Sequence, residues 1–167
     1  MPFQAGKEAP LRGKREKGLK NCGNTMVAHS ELRHVRSLNM TVRIVRLGTP
    51  RSRGEGTRIG TVRRPPRGVP KSEFASRNWY DVWFPNLAPS VETMKRGQQV
   101  TTVAEWAAFA KKYRREMARP ENSHALELLA VLSHHADFSV GCYCEDEARC
   151  HRSVLRALLV EKGANVA

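Results

Sequence analysis

Apolar length is what this 167-residue chain most clearly lacks. No stretch approaches the roughly 18 apolar residues a bilayer-crossing helix needs, and the N-terminus has no apolar core of the secretory type. Neither a membrane partner nor export is therefore expected. A cytoplasmic chain keeps its thiols reduced, which favours thiol or metal chemistry over a disulfide framework. Acidic residues are also scarce. The 16 Asp+Glu face 29 Lys+Arg, a net charge of +13. That balance points to a polyanionic partner, a nucleotide or nucleic acid, or else to a basic surface that binds nothing. No internal repeat is visible, which argues against solenoid and propeller folds. The length suits one domain. Cysteine is sparse but unevenly placed: of four, Cys142, Cys144 and Cys150 fall within nine residues, and Cys22 stands apart.

Residues 1–39 read differently from the remainder. Lys7, Arg12, Lys14, Arg15, Lys17 and Lys20 crowd one segment with only Leu11 and Leu19 as sizeable apolar residues. Such a segment buries too little surface to offset its ordering entropy, so a disordered basic tail is expected. It reads either as a phosphate-neutralising arm or as an over-extended start ahead of Met40.

From residue 40 to 167 the pattern is that of one α/β domain. Val42–Leu47 and Thr57–Val62 read as strands. Between Thr41 and Lys71 stand nine Lys/Arg and the single acid Glu55. The Pro65, Pro66 and Pro70 run there forbids regular pairing, so this charge lies on loops. Asn78–Phe84 reads as an extended aromatic segment packed on the core. Ser90 stands near the start of a short helix carrying Val91, Met94 and Lys95. Thr102 and Glu105 form a capping box for a helix with Trp106, Phe109, Ala110, Tyr113 and Met117 at helical spacing, ended by Pro120. A second helix is expected from Ser123 to about His135, burying Ala125, Leu128, Leu129 and Leu132. His124, His134 and His135 read as surface residues. A strand over Phe138–Cys144 and a helix over Val154–Lys162, stopped by Gly163, complete the domain.

The chemistry concentrates where that last strand meets that last helix. Cys142, Cys144, Cys150, His151 and Arg152 all fall there, where a helix N-terminus favours anions and lowers the pKa of a thiol. Three readings compete. In the first, the turn is an anion site with a nucleophilic Cys142 or Cys150. The Cys-x5-Arg spacing of a phosphatase is absent, since four residues separate Cys144 from Arg149. In the second, the three cysteines and His151 bind zinc. Adjacent Cys150 and His151 argue against that, and no metal or other cofactor is expected. In the third, the thiols simply pack.

The run Cys142-Tyr-Cys-Glu-Asp-Glu-Ala-Arg-Cys-His-Arg-Ser153 resembles the Cys…Cys-His-Arg-Ser signature of domain-of-unknown-function family 488, the YeaO-like proteins. Arg63-Arg64-Pro65-Pro66-Arg67-Gly68 is similar to that family's Asp-Arg-Leu-Trp-Pro-Arg-Gly segment, and Leu87-Ala88-Pro89-Ser90 to its Pro-Ser turn. The resemblance spans about residues 42–163. It implies a small, mostly parallel α/β sheet flanked by helices and no established activity. It implicates Arg63, Arg67, Ser90, Cys142, Cys150, His151 and Arg152. Val62 stands in place of the family's Asp, Arg64-Pro65 in place of its Leu-Trp, and Cys144 where a carboxylate is frequent. The expectation is a pocket at the C-terminal strand ends. Arg63, Arg67 and Arg152 would bind an anion there with Ser90, and Cys142 or Cys150 would be the reactive thiol with His151 as base or orienter. The alternatives are a nucleic-acid-binding module using the 41–71 loops and a zinc-binding Cys3His module.

Overall fold

A computed structural model describes residues 40–167; the basic tail and Cys22 lie outside the described residues. Four strands form: β1 (Val42–Arg46), β2 (Thr57–Gly60), β3 (Val82–Trp83) and β4 (Phe138–Cys142). They pair wholly in parallel in the order β1-β4-β2-β3, the α/β arrangement expected from the sequence. β4 is the central strand, and all five of its residues are buried, which is why it carries no strand-like alternation. Val42 pairs with Phe138 and Arg46 with Cys142, so β1 and β4 end together. At Gly60 of β2, a Cβ would run into the Tyr80 ring.

Four helices follow: α1 (Val91–Gly97), α2 (Val103–Met117), α3 (Pro120–Leu132) and α4 (His151–Glu161). The capping box at Thr102 and Glu105 forms as expected. Backbone N–H groups of Thr101 and Thr102 hold the Glu105 carboxylate down to about 2. Tyr113 and Met117 of α2, Leu126 and Leu129 of α3 and Leu155 and Leu159 of α4 share one core with Val42, Phe138 and Val140. A smaller core of Leu47, Val62, Phe74 and Tyr80 takes in the Cys142 and Cys150 side chains.

Several boundaries differ from the sequence reading. Pro120 opens α3 instead of only closing α2, because a proline at the first helical position forfeits no hydrogen bond. The face of α3 is also rotated. Asn122, Leu126, Leu129 and Ala130 are buried, while Leu128 is 68% exposed. The segment is apolar nearly all round, so periodicity alone could not choose the face. The Asn122 side chain, donating to the Glu116 carbonyl at 2.8 Å, fixes it at the entry. The last helix likewise starts at His151, three residues earlier than its apolar pattern suggests.

The charged 41–71 stretch is partly neutralised by the fold. Glu55 and Arg58 form a fully buried pair, with Arg58 Nε donating to Glu55 Oε1 at 2.6 Å and Ser139 adding a third bond at 2.8 Å. Arg58 Nη1 also donates to the Thr49 and Asn78 carbonyls, at 2.9 and 2.6 Å. Arg43 pairs with Asp137, Arg46 with Glu145 and Arg51 with Asp81. Apart from the exposed Arg53, the excess that survives therefore sits after β2.

Candidate functional site

The segments that leave the carboxyl ends of β1, β2 and β4 enclose a cleft of about 1170 Å³, the crevice position that parallel sheets favour for ligands. Arg46, Arg63, Arg64, Arg67, Lys95 and Arg149 line it, and among its described lining residues there is no carboxylate. Trp79 and Tyr143 meet edge to face on one side, with ring centroids 5.4 Å apart; Trp106 and Phe109 stack at 5.0 Å on another. Trp79 and Tyr143 pack against the smaller core and Trp106 against the larger one, while Phe109 is itself buried.

Cys142, Cys144, Cys150 and His151 reach the same cleft. β4 delivers Cys142 at its last residue, and Cys150 is the N-cap of α4, making no side-chain capping bond. The His151 ring is aimed by its surroundings. Its Nε2 lies 2.9 Å from the Thr61 carbonyl, an acceptor only, so Nε2 carries the proton and donates it there. Nδ1 is left as a bare lone pair, 3.7 Å from Cys150 Sγ. Tyr113 supports the ring edge to face at 5.6 Å, its own hydroxyl donating to the Leu87 carbonyl at 2.6 Å. Burial, and then the neighbouring sulfurs, push the Tyr113 hydroxyl well above its ordinary value, which keeps it a neutral donor.

The three sulfurs behave as one titrating unit. Cys142 Sγ is 3.6 Å from Cys144 Sγ, and sharing protons with Cys144 and Cys150 raises the Cys142 thiol. The same contacts draw Cys144 down to about 3, helped by the Arg152 charge. Cys150 is lowered too, by Cys142 foremost and then by His151. Cys144 and Cys150 thus give up their protons more readily, at the expense of Cys142, whose proton is held. Cys144, not among the residues the resemblance implicates, is thus part of the cluster; its carboxylate-bearing counterpart in the resembled family gave no hint of that.

The seven residues singled out from sequence do not all converge. Arg63, Arg67, Cys142, Cys150 and His151 line the cleft; Ser90 and Arg152 do not. Ser90 caps α1 by accepting from the Thr93 N–H and donates to Glu116 at 2.6 Å, so its hydroxyl is committed to the fold. Arg152 is 3% exposed and donates to the Cys144 carbonyl at 2.7 Å, which makes it a clamp on the 143–150 turn. Arg63 is half committed: Nε and Nη2 hold the Pro89 and Ala88 carbonyls, and Nη1 makes no hydrogen bond among the described residues. Lys95 was missed as a site residue, and Cys144 entered only through the zinc alternative. Lys95 and Arg149 sit on separate elements among many basic residues, and only the tertiary fold selects them.

A parallel α/β domain with a basic, sulfur-floored cleft at its strand ends is the class that fold and site define. Residues 42–163 match the family model described as the Active DUF488-N3 subclade, and the chain belongs to the DUF488 family. No curated protein and no solved structure matches it. No helix among the described residues is long and apolar enough to cross a membrane.

Proposed function

We propose that this chain is a thiol-dependent enzyme that binds a phosphate-bearing ligand, a nucleotide or nucleic acid, in the strand-end cleft. The observation that carries the reading is the lining: six cations, no described carboxylate and a thiol–imidazole floor in one cavity. Arg63 Nη1 and Arg67 hold the anion, with Arg64, Lys95 and Arg149 adding field. Cys150 supplies the thiol, and the His151 lone pair faces it on the side needed to take its proton. The Thr61 carbonyl fixes that tautomer, the part a third residue plays in nucleophile–base pairs. Cys142 and Cys144 tune the sulfur that reacts. The test is equilibrium binding of a nucleoside triphosphate. Arg63→Ala and Arg67→Ala each lower affinity about tenfold, in line with a charge-assisted contact. Unchanged affinity in both removes the cleft as the anion site.

A non-enzymatic nucleic-acid-binding module is favoured by one specific feature, the exposed Arg64 and Arg67 with no ion pair among the described residues. Oligonucleotide affinity that falls steeply with salt and ignores Cys150→Ser supports the module. A Cys150→Ser protein that still binds but loses ligand conversion supports the enzyme.

A further inference from the structure

We infer that the cluster at the cleft floor is a zinc site, with Cys142, Cys144, Cys150 and His151 Nδ1 as its ligands. The donor atoms of Cys142, Cys150 and His151 all lie within 4.8 Å of one another. Zinc–sulfur bonds of about 2.3 Å and zinc–nitrogen bonds of about 2.0–2.1 Å fix the edges of a tetrahedron at roughly 3.8 Å between sulfurs and roughly 3.6 Å between sulfur and nitrogen. The observed Cys142–Cys144 separation is 3.6 Å and the Cys150–His151 separation 3.7 Å. Two edges of the coordination figure are thus at metal-binding length, while Cys144 lies outside the mutually close trio and reaches it through Cys142. Adjacency of Cys150 and His151, which argued against a shared ion in the sequence, is overcome because Cys150 lies before the helix and His151 in its first turn, so their side chains converge.

Two independent features support the ion. The His151 ring donates Nε2–H to the Thr61 carbonyl, the arrangement that leaves Nδ1 as a metal donor and orients the ring toward it. Packing of free thiols accounts for buried Cys142 and Cys150, but not for Cys144, which is exposed and still turns its sulfur to Cys142. Charge fits as well. Three thiolates and one neutral imidazole around a divalent ion leave one net negative charge, set below a cleft whose charged lining is wholly cationic. The protons that the three thiols still hold are released to solvent on binding.

Zinc binding itself does not depend on the proposed enzyme; its consequence does. With the ion in place Cys150 is a ligand and not a free nucleophile, so on the thiol-enzyme reading zinc holds the centre in an inactive form.

The test uses reduced, chelator-treated full-length protein in a Cys22→Ser background, titrated with cobalt(II) and then with zinc. One cobalt per chain is expected, with strong sulfur-to-metal charge-transfer absorption, tetrahedral visible bands and displacement by one zinc. Cys142→Ser and His151→Gln weaken zinc at least tenfold. The exposed Cys144→Ser, which endangers the fold least, removes about a third of the charge-transfer intensity. No thiolate–cobalt absorption in the parent protein overturns the site. So does absorption that survives Cys144→Ser and Cys142→Ser unchanged in proteins with native circular dichroism. Nucleoside triphosphate binding, measured on the same samples, separates the two ideas: lost metal binding with intact nucleotide binding ends only the zinc site, and the reverse ends only the anion cleft.

Discussion

Arg64, Arg67, Lys95 and Arg149 line the cleft and make no ion pair among the described residues, whereas Arg46 is paired with Glu145 and Arg63 is tied to two carbonyls. If a single-stranded nucleic acid lies in the cleft, these four are the cations free to neutralise phosphates. Each neutralised phosphate contributes about −0.7 to the slope of log affinity against log salt. Four give a slope of about −2.8, or roughly a fifty-fold loss of affinity between 50 and 200 mM salt. The double variant Arg64→Ala/Arg67→Ala removes two cations that make no described contact in the fold. Its slope falls to about −1.4, and the same salt change then costs roughly sevenfold. Fluorescence anisotropy with a short labelled oligothymidylate reads both slopes directly. Because both side chains are exposed, the variant keeps its thermal stability. A slope that stays near the parent value places the phosphates elsewhere and refutes the assignment of these cations.

Three further outcomes test the scaffold that holds the site. Glu55→Gln strands the buried Arg58 charge and costs about 3–5 kcal/mol in urea unfolding; a loss below roughly 1 kcal/mol contradicts a buried pair. Burial pushes the Glu55 carboxyl up, but bonds from Arg58, Ser139 and the Ser52 N–H outweigh it and hold it below its ordinary value. Its stabilisation is therefore fully present above the ordinary carboxylate range and disappears as pH falls through the lower folded value. The acid-side loss seen in the parent is correspondingly shallower in Glu55→Gln. Gly60→Ala drives a methyl into the Tyr80 ring and destabilises by about 1–3 kcal/mol, and an unchanged melting temperature argues against that close approach. Arg152→Ala frees the Cys144 carbonyl and costs about 1–3 kcal/mol, yet lowers nucleotide affinity less than Arg67→Ala does. The opposite order returns Arg152 to the anion.

The sequence made the strand–turn–helix around Cys142 and His151 legible because its flanks are simple: a short apolar strand and a helix with a clear apolar face. The Thr102–Glu105 box was equally readable, being a local hydrogen-bond pattern. What the chain hid are long-range choices. Ser90 and Arg152 carry polar groups suited to an anion, but Glu116 and the Cys144 carbonyl, far along the chain or across a turn, claim them first. Lys95 and Arg149 are ordinary basic residues until α1 and the 143–150 turn bring them to one cavity. Cys144 was not among the implicated residues, because residues two apart on a strand say nothing about a sulfur that turns back once β4 has ended at Cys142. The face of α3 was unreadable for a different reason, an apolar sequence on nearly every side.

The claim on which the account stands is that reactive sulfur lies at the floor of a cationic cleft. In metal-free, reduced protein, the rates of alkylation by anionic iodoacetate and neutral iodoacetamide measure it, followed residue by residue at Cys144 and Cys150 by mass spectrometry. The expected iodoacetate-to-iodoacetamide rate ratio is well above that of glutathione. The ratio is also expected to collapse with added salt or with Arg64→Ala/Arg67→Ala, and a nucleoside triphosphate to protect both cysteines. A ratio equal to that of glutathione, with no protection by the nucleotide, contradicts the claim.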